Sequence, residues 1–241
     1  MRIPGGRGSP VNAGPQEPTL VVAVDGPSGS GKSSTARGVA RALRLRYLDT
    51  GAMYRAMTWW MLRHDVDVSD PAAVAARADE PVIEMTTADP DAPAVSVDGV
   101  DVSGPIRTRE VTNAVSAVSA VPEVRTRLVA LQRELIGDGG IVVEGRDIGT
   151  VVAPDAQVKV FLTASQQARA QRRAAELTAD PAATVSTTRS EMDTRDRLDS
   201  TRATSPLLKA DDAVEVDSTE FGLDEVIAQI VKLAEERVAA L

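Results

Sequence analysis

The sequence has no cysteine among its 241 residues. This absence excludes disulfides, thiolate metal sites and thiol nucleophiles, and it is typical of a protein that works in the reducing cytoplasm, which is the expected location. No apolar run approaches the roughly 20 residues that cross a bilayer, so a membrane partner is not expected. Aromatic residues make up only 2% of the chain, which makes an arginine plane the available substitute for an aromatic ring in stacking on a ligand.

Net positive charge is also lacking. Lysine and arginine total 27 against 35 aspartates and glutamates, a formal charge of −8. This balance excludes a broad basic face, so polymeric nucleic acid is not an expected partner. If a ligand is anionic, the arginines that bind it must be gathered in a local cleft. Hydrophobic residues make up 43% of the chain, enough for the core of one domain with insertions.

Short apolar runs alternate with helical patterns along the chain. The predicted strands cover residues 20–24, 47–49, 141–144, 158–162 and 213–216, and the predicted helices cover residues 32–43, 53–64, 122–135, 166–177 and 223–240. Such alternation is typical of the α/β class. We therefore predict a five-stranded parallel sheet flanked by helices.

Three stretches depart from this alternation. Residues 1–18 are predicted to be a disordered tail. Residues 82–110 contain turn residues and Asp98-Gly99, which predict a hairpin inside a small antiparallel insertion of about residues 66–120. Residues 178–202 are polar and rich in arginine, and we interpret this irregular stretch as a helical lid. The remaining core would comprise residues 19–65, 121–177 and 203–241 of a single domain, 19–241.

A glycine-rich loop follows the first predicted strand and precedes a helix. Gly26 is followed by four residues and then by Gly31-Lys32-Ser33, the spacing of a loop that holds nucleotide phosphates on its backbone N–H groups. The predicted ATP-binding residues are Gly26, Pro27, Ser28, Gly29, Ser30, Gly31, Lys32, Ser33 and Ser34. Lys32 would bridge the β- and γ-phosphates and the Ser33 hydroxyl would coordinate Mg²⁺. The alternative is a glycine-rich turn that only joins strand to helix.

The loop does not reveal the acceptor, because GTPases, DNA motors and metabolite kinases all use it. No Asn-Lys-x-Asp segment that would read guanine occurs in the chain, and the chain lacks the length and basic surface of a motor. A small-molecule kinase is the leading class.

Candidate acceptor residues follow the second and third predicted strands of the main sheet. Thr50 and Arg55 suit a second phosphate, although Thr50 could instead cap a helix and Arg55 could be a surface residue. Arg146 and Asp147 come at the end of a strand, where open α/β sheets bind ligands; the alternative is a surface ion pair.

Spacing also groups three charged residues of the predicted lid. Arg195, Asp199 and Arg202 share one face if their segment is helical. A solvated charged helix would show the same pattern.

Together these pieces resemble the bacterial cytidylate kinase family from about Leu20 to the C-terminus. The segments that carry the resemblance are VDGPSGSGKSS, YLDTGAMYRA, VSGPIRTREV, VSAVPEVRTRLVALQRE, VVEGRDIGTVVAPDAQVKVFLTAS and RDRLDSTRATSPLLKADDAVEVDST. Several lie far from the phosphate-binding loop, so a general similarity to proteins with such a loop does not account for them.

The resemblance implies Mg²⁺-dependent transfer of the ATP γ-phosphoryl group to CMP or dCMP, in pyrimidine nucleotide metabolism, by a monomer. The insertion would close over the acceptor. Lys32, Arg195 and Arg202 would be catalytic, and Arg172 would stack on adenine. The implied acceptor residues are Ser116, Arg125 and Asp147 around cytosine, Thr50, Arg55 and Arg146 at the phosphate, and Tyr54 and Asp199 near the sugar.

Two other functions stay open at this point. Another kinase of a small metabolite would keep the loop without selecting pyrimidine monophosphates. A non-catalytic nucleotide sensor would bind ATP without turnover of any acceptor. The sequence does not distinguish CMP from dCMP.

Overall fold

The structure is a computed structural model that describes residues 20–176 and 184–239. The predicted tail, residues 1–18, lies outside the described residues. The beginning of the predicted lid, residues 178–183, also lies outside them, as do the last predicted residues of two helices, Leu177 and Ala240.

Eight strands and eight α-helices make up the described chain. The strands are β1 (Val21–Asp25), β2 (Arg46–Asp49), β3 (Ile83–Met85), β4 (Val95–Val97), β5 (Val100–Asp101), β6 (Ile141–Gly145), β7 (Val158–Thr163) and β8 (Val214–Asp217). The helices are α1 (Lys32–Leu43), α2 (Thr50–Arg63), α3 (Pro71–Ala76), α4 (Arg109–Ser119), α5 (Pro122–Ile136), α6 (Gln166–Glu176), α7 (Val185–Thr201) and α8 (Leu223–Val238). A 3₁₀ turn spans Pro105–Arg107 and a π-helical turn spans Ile148–Val152.

The main sheet is parallel, with strand order β2-β6-β1-β7-β8. Helices cover both of its faces, so every residue of β1 is buried. One core joins the sheet to α2, α4 and α5, and the other joins it to α1 and α8. The predicted α/β class and five-stranded parallel sheet are confirmed, and each predicted strand end lies within one residue of the observed end.

Helix α2 begins earlier than its apolar pattern predicts. The prediction placed its start at Met53, whereas the helix begins at Thr50 because the Asp49 side chain accepts from the Ala52 N–H at 3.0 Å. Asp49 is therefore the N-cap, and the alternative that Thr50 caps the helix is wrong. Helix α1 begins at the predicted Lys32, directly after Gly31.

The insertion contains more than antiparallel strands. Strands β3, β4 and β5 form a three-stranded antiparallel sheet, and its predicted turn is present, with positive φ at Asp98 and Gly99. The prediction missed α3 and α4. In α4, buried Val111, Val115 and Val118 recur at helical spacing. Because valine favours strands, the segment was assigned to the antiparallel insertion and its helical periodicity was not recognised.

The polar stretch interpreted as a helical lid contains a continuous helix over Val185–Thr201, α7, which confirms that it is helical. Only a narrow row that includes Thr188, Met192 and Asp199 is buried, so no broad apolar stripe marked the helix in the sequence. Arg202 lies just beyond its end. None of the described helices is both long and apolar enough to cross a membrane.

Candidate active site

The glycine-rich loop lies between the end of β1 and the start of α1. Gly26 has a φ of +151°, and a Cβ atom there would stand 2.1 Å from the backbone oxygen of Leu162 on β7. Only glycine fits so close to a neighbouring strand. The loop is therefore held against the sheet at the point where open α/β sheets bind ligands.

Lys32 is buried beside its own loop. Its Nζ donates to the Pro27 carbonyl at 2.6 Å, and the Ser30 hydroxyl donates to the same carbonyl at 3.1 Å. Burial, followed by the charge of Arg146, lowers the pKa of Lys32 to about 7. An anionic phosphate group would favour the ammonium form of this side chain.

A buried carboxylate, Glu144 on β6, supports the loop from behind. Its Oε2 accepts from the Ser33 hydroxyl at 3.0 Å, and its Oε1 accepts from the Tyr47 hydroxyl. Burial, followed by the nearby charge of Asp49, raises the pKa of Glu144 to about 7. The pKa of Tyr47 is also raised, first by burial, so this phenol stays protonated.

Asp25 joins the end of β1 to the π-helical turn. Its two carboxylate oxygens accept from the N–H groups of Ile148 and Gly149, each at 2.8 Å. Burial outweighs these two bonds and raises the pKa of Asp25 to about 6. This contact holds the turn that follows the Gly-Arg-Asp segment close to the loop.

Helices α6 and α7 hold the loop from the other side, through Ser28. The Ser28 N–H donates to Asp196 Oδ1 at 2.8 Å, and Arg169 Nη1 donates to the Ser28 carbonyl at 2.8 Å. Arg169 and Asp196 also form an ion pair with each other. Sequence reasoning selected neither residue. Arg169 belongs to no motif, and Asp196, although it lies in the segment RDRLDST, is 27 positions from Arg169, so only tertiary packing brings the two together.

The acceptor candidates on α2 face the same space. The Thr50 hydroxyl donates to the Glu144 carbonyl at 2.7 Å. Arg55 is half-buried, and its Nη1 donates to the Thr112 hydroxyl at 2.8 Å. Burial, followed by the charge of Arg195, lowers the pKa of Arg55 to about 9. The alternative that Arg55 is a solvated surface residue is wrong.

Asp147 lies at the centre of a buried charge cluster. Its Oδ2 accepts from Arg125 Nη2, while its Oδ1 lies 3.7 Å from Arg202 Nη2. The Arg125 guanidinium also donates to the Ser119 carbonyl at 3.1 Å and lies over the Tyr54 ring at 5.1 Å. The Arg125 and Asp147 side chains are 2% and 5% exposed, so their polar groups are already desolvated.

Arg146 points away from Asp147, so the alternative of an ion pair between these neighbours is wrong. Arg146 Nε donates to Asp199 Oδ2 at 3.1 Å and its Nη2 donates to the Ser28 hydroxyl at 3.1 Å. Arg202 also lies 3.9 Å from Asp199. Burial, followed by the charge of Arg146, lowers the pKa of Arg195 to about 10. Arginine side chains from the end of β6, from α7 and from just beyond α7 thus meet beside the loop.

Most of the predicted site residues line a single cleft. They are Ser28, Gly29, Gly31, Lys32, Ser33, Ser34, Thr50, Tyr54, Arg55, Ser116, Arg125, Arg146, Asp147, Arg195, Asp199 and Arg202. Lys32 and several arginines are therefore gathered in one cleft of a chain that is negatively charged overall. This is the arrangement expected if the ligand is anionic.

Four predicted residues do not line the cleft. They are Gly26, Pro27, Ser30 and Arg172. The first three form the back of the loop. The Arg172 guanidinium donates to the Ser218 hydroxyl at 2.9 Å, and its Nη1 lies 3.9 Å from the position that a Cβ on Gly31 would occupy. It is therefore beside the loop, at the outer edge of the site.

The cleft also contains residues that the sequence analysis did not select. They include Asp49, Arg107, Ser119, Glu144, Arg173 and Met192. Asp49 and Glu144 could have been found, since each is an acidic residue near the end of a predicted parallel strand. Arg107 and Ser119 lie in segments that carry the family resemblance, but the resemblance was not used to assign them a role. Arg173 on α6 and Met192 on α7 follow no local signal.

The side-chain groups at the loop that could bind a cation carry oxygen atoms: the Ser33 hydroxyl and the Glu144 carboxylate. Within residues 20–176 and 184–239, no group of three or more His, Cys, Asp or Glu side chains could hold a metal ion. Mg²⁺ does not need such a cage, because it keeps several waters and shares substrate phosphates. The Ser33 hydroxyl at the cleft, with Glu144 behind it, fits this mode of binding.

A parallel sheet with a phosphate-binding loop at its carboxyl edge, a buried loop lysine and converging arginines defines a P-loop kinase. The sequence model of one such family, "Cytidylate kinase", matches residues 22–236. The chain belongs to the cytidylate kinase family.

Known relatives are similar over nearly their full length. The cytidylate kinase of Streptomyces avermitilis is 59% identical over 92% of this chain and 96% of its own. That of Streptomyces griseus subsp. griseus is 60% identical with the same coverage. A solved structure of an uncharacterized protein from Eubacterium ventriosum covers 90% of this chain and 99% of its own, with a TM-score of 0.50 and 11% identity, a likeness of fold alone.

Proposed function

We propose that this chain transfers the γ-phosphoryl group of ATP to CMP or dCMP, giving ADP and CDP or dCDP. The observation that carries the proposal is the placement of Asp147. Its buried carboxylate is fixed by Arg125 and lines the same cleft as the phosphate-binding loop.

Asp147 supplies an acceptor for an amino group on a base. Its Oδ2 is engaged by Arg125, whereas Oδ1 is 3.7 Å from Arg202, too far for a hydrogen bond. Oδ1 is therefore available to accept from the exocyclic amine of cytosine. Uracil has a carbonyl at that position, which would face the carboxylate unfavourably. Ser116, which is 8% exposed, and Arg125 would complete the contacts with the ring.

Arg55 and Arg146 would neutralise the phosphate of the acceptor. The Thr50 hydroxyl has one proton, and it is directed at the Glu144 carbonyl. Thr50 would therefore have to rotate before it could donate to a phosphate oxygen. Tyr54 and Asp199 would lie near the sugar, and Asp199 is held by Arg146 at 3.1 Å.

The donor nucleotide would bind on the loop backbone, from Gly26 to Ser34. Mg²⁺, when bound, would supply positive charge that offsets the charge of the nucleotide phosphates, and the Ser33 hydroxyl is the protein group that would hold it. Arg172, beside Gly31, would contact adenine.

The reaction breaks the bond between the γ-phosphorus and its bridging oxygen and forms one to an acceptor phosphate oxygen. Charge spreads over the three equatorial oxygens as this happens, so the protein mainly aligns the two nucleotides and stabilises charge. Lys32, Arg195 and Arg202 would provide that field. Arg202 Nη2 has no hydrogen-bond partner among the described residues, which leaves it able to bind the transferring group.

The chain can be divided according to the proposed roles of its segments in binding the two nucleotides. Residues 19–241 would form one kinase domain, in which the insertion, about residues 66–120, closes over the acceptor and the lid, about residues 178–202, excludes water. The Arg169–Asp196 pair, which grips Ser28 from α6 and α7, supports a lid that communicates directly with the loop. We further propose that the protein is a cytoplasmic monomer.

Arg202→Ala tests the catalytic assignment. We expect turnover to fall by about 10³-fold, a typical loss for an arginine that stabilises the transferring phosphoryl group, with less than a threefold change in ATP affinity. The matched control is Arg197→Ala, which removes an exposed arginine of α7, the helix that ends just before Arg202. Equal losses in turnover and ATP affinity for Arg202→Ala would make it an ordinary binding residue.

The proposed reaction is tested by following ADP release with ATP and Mg²⁺ and offering CMP, dCMP, UMP, AMP and GMP separately. We expect fast turnover with CMP and dCMP and formation of the matching diphosphate. Turnover of a different acceptor would favour another metabolite kinase, and ATP binding without turnover of any acceptor would favour a nucleotide sensor.

A further inference from the structure

A buried tyrosine, Tyr47 on β2, lies behind the phosphate-binding loop. It is 2% exposed and is not among the residues that line the cleft. Its hydroxyl donates to Oε1 of Glu144, and the Ser33 hydroxyl donates to Oε2 of the same carboxylate at 3.0 Å. A chain of two hydrogen bonds thus runs from the core through Glu144 to the loop.

The proton of Ser33 decides what its oxygen can do. A serine hydroxyl has one proton and two lone pairs. Donation to Glu144 directs the proton away from the cleft and leaves the lone pairs for a cation. Two hydroxyl groups converge on Glu144, one on each oxygen, which is the arrangement that suits a carboxylate acting only as an acceptor.

Tyr47 in turn fixes Glu144. In the part of the chain that the structure describes, Tyr47 is the only hydrogen-bond donor to Oε1, and Glu144 is 3% exposed. A buried carboxylate oxygen that loses its donor is strongly disfavoured. Without the phenol, Glu144 would turn towards other positive or donor groups at the loop and release the Ser33 hydroxyl.

We infer that Tyr47 is a positioning residue that acts through Glu144 to orient the Ser33 hydroxyl for the metal that accompanies the nucleotide. The inference rests on the proposed function, because it presumes that ADP and ATP bind on this loop with Mg²⁺. It assigns Tyr47 to metal-dependent nucleotide binding and leaves the phosphate contacts of the loop backbone unaffected.

The test uses Tyr47→Phe in the full chain and measures ADP affinity by calorimetry, once with Mg²⁺ and once with EDTA. Phenylalanine keeps the ring and removes only the hydroxyl. We expect the affinity for ADP with Mg²⁺ to fall about tenfold, the lower end of the losses seen when the partner of a metal ligand is removed. The affinity for ADP in EDTA should stay within about twofold of the wild type.

The matched control is Thr58→Val on α2. The Thr58 hydroxyl is also fully buried and donates to a backbone carbonyl, that of Tyr54, at 2.8 Å. This change removes one buried hydroxyl hydrogen bond without touching Glu144 or Ser33. We expect the ratio of the two ADP affinities to remain that of the wild type.

Equal losses of ADP affinity with Mg²⁺ and with EDTA would overturn the inference and make Tyr47 a structural residue. Wild-type ADP affinities in both conditions would overturn it as well. If Tyr47→Phe does not fold, Glu144→Gln takes its place in the test. The glutamine amide would donate to the Ser33 oxygen, so the Ser33 proton would no longer be held away from the cleft. We expect the same selective loss, and an equal loss in both conditions would again overturn the inference. Failure of the wild-type protein to bind ADP at all would overturn the proposed function too.

Discussion

The buried pair of Arg125 and Asp147 offers a sharp energetic test of the site. We consider Arg125→Met, which keeps much of the side-chain volume and removes the charge. Among the described residues, Asp147 would then keep only Arg202 as an ion-pair partner, at 3.7 Å. The Ser119 carbonyl would lose a donor at 3.1 Å, and the Tyr54 ring would lose the cation above it. Breaking one partner out of a buried ion pair costs about 3–5 kcal/mol of unfolding free energy.

The assay is equilibrium unfolding in urea. With a slope of about 2–3 kcal/mol per M, the expected loss lowers the midpoint by roughly 1–2.5 M. Arg125→Met combined with Asp147→Leu should recover most of this loss, because two apolar residues can replace a buried pair. Arg41→Met removes an arginine that is 53% exposed and paired with Asp91, and it should cost less than about 1 kcal/mol. An equal urea midpoint for Arg125→Met and for the Arg41→Met control would contradict the expected cost of breaking the buried pair.

Two further predictions concern the end of β1. Gly26→Ala should leave little folded protein in a circular dichroism melt, because its Cβ would stand 2.1 Å from the Leu162 oxygen; a wild-type melting temperature would contradict this. The pKa of Asp25 is raised from 3.8 to about 6, so its contribution to stability is present below pH 3.8 and lost as pH rises to 6. The unfolding free energy of Asp25→Asn, measured in urea, should therefore rise by about 3 kcal/mol relative to that of the wild type as the pH is raised from 3.8 to 6. A difference between the two proteins that does not change with pH would contradict this.

The parallel sheet could be predicted because its strands are short apolar runs between helical patterns. Each strand of the main sheet was found to within one residue. The central strands β1 and β6 are buried along their whole length, and such strands need largely apolar sequence. Helices α3 and α4 were missed for different reasons. The first has only six residues, and the second is rich in valine, whose β-branching favours strands in a local analysis.

The site was predictable where chemistry follows local spacing. The phosphate-binding loop and the Gly-Arg-Asp strand end needed only their neighbours in sequence, and the structure brings both to one cleft. Pairings were not predictable. Arg146 and Asp147 are adjacent, yet each pairs with a residue more than 20 positions away. Such partners depend on tertiary packing, as does the contact of Asp196 with Ser28.

The assignment of Asp147 as the residue that reads the base is tested by the ratio of kcat/KM for CMP to kcat/KM for UMP. This ratio is measured in the wild type, in Asp147→Asn and in the control Asp155→Asn, which changes an exposed aspartate. A carboxylate can only accept a hydrogen bond, whereas an asparagine amide can either accept one from the cytosine amine or donate one to the uracil carbonyl. The variant should therefore discriminate less between CMP and UMP. We expect the wild-type protein and the control to favour CMP strongly, and the ratio in Asp147→Asn to fall at least about tenfold. An unchanged ratio in Asp147→Asn would contradict the assignment of Asp147 as the residue that reads the base.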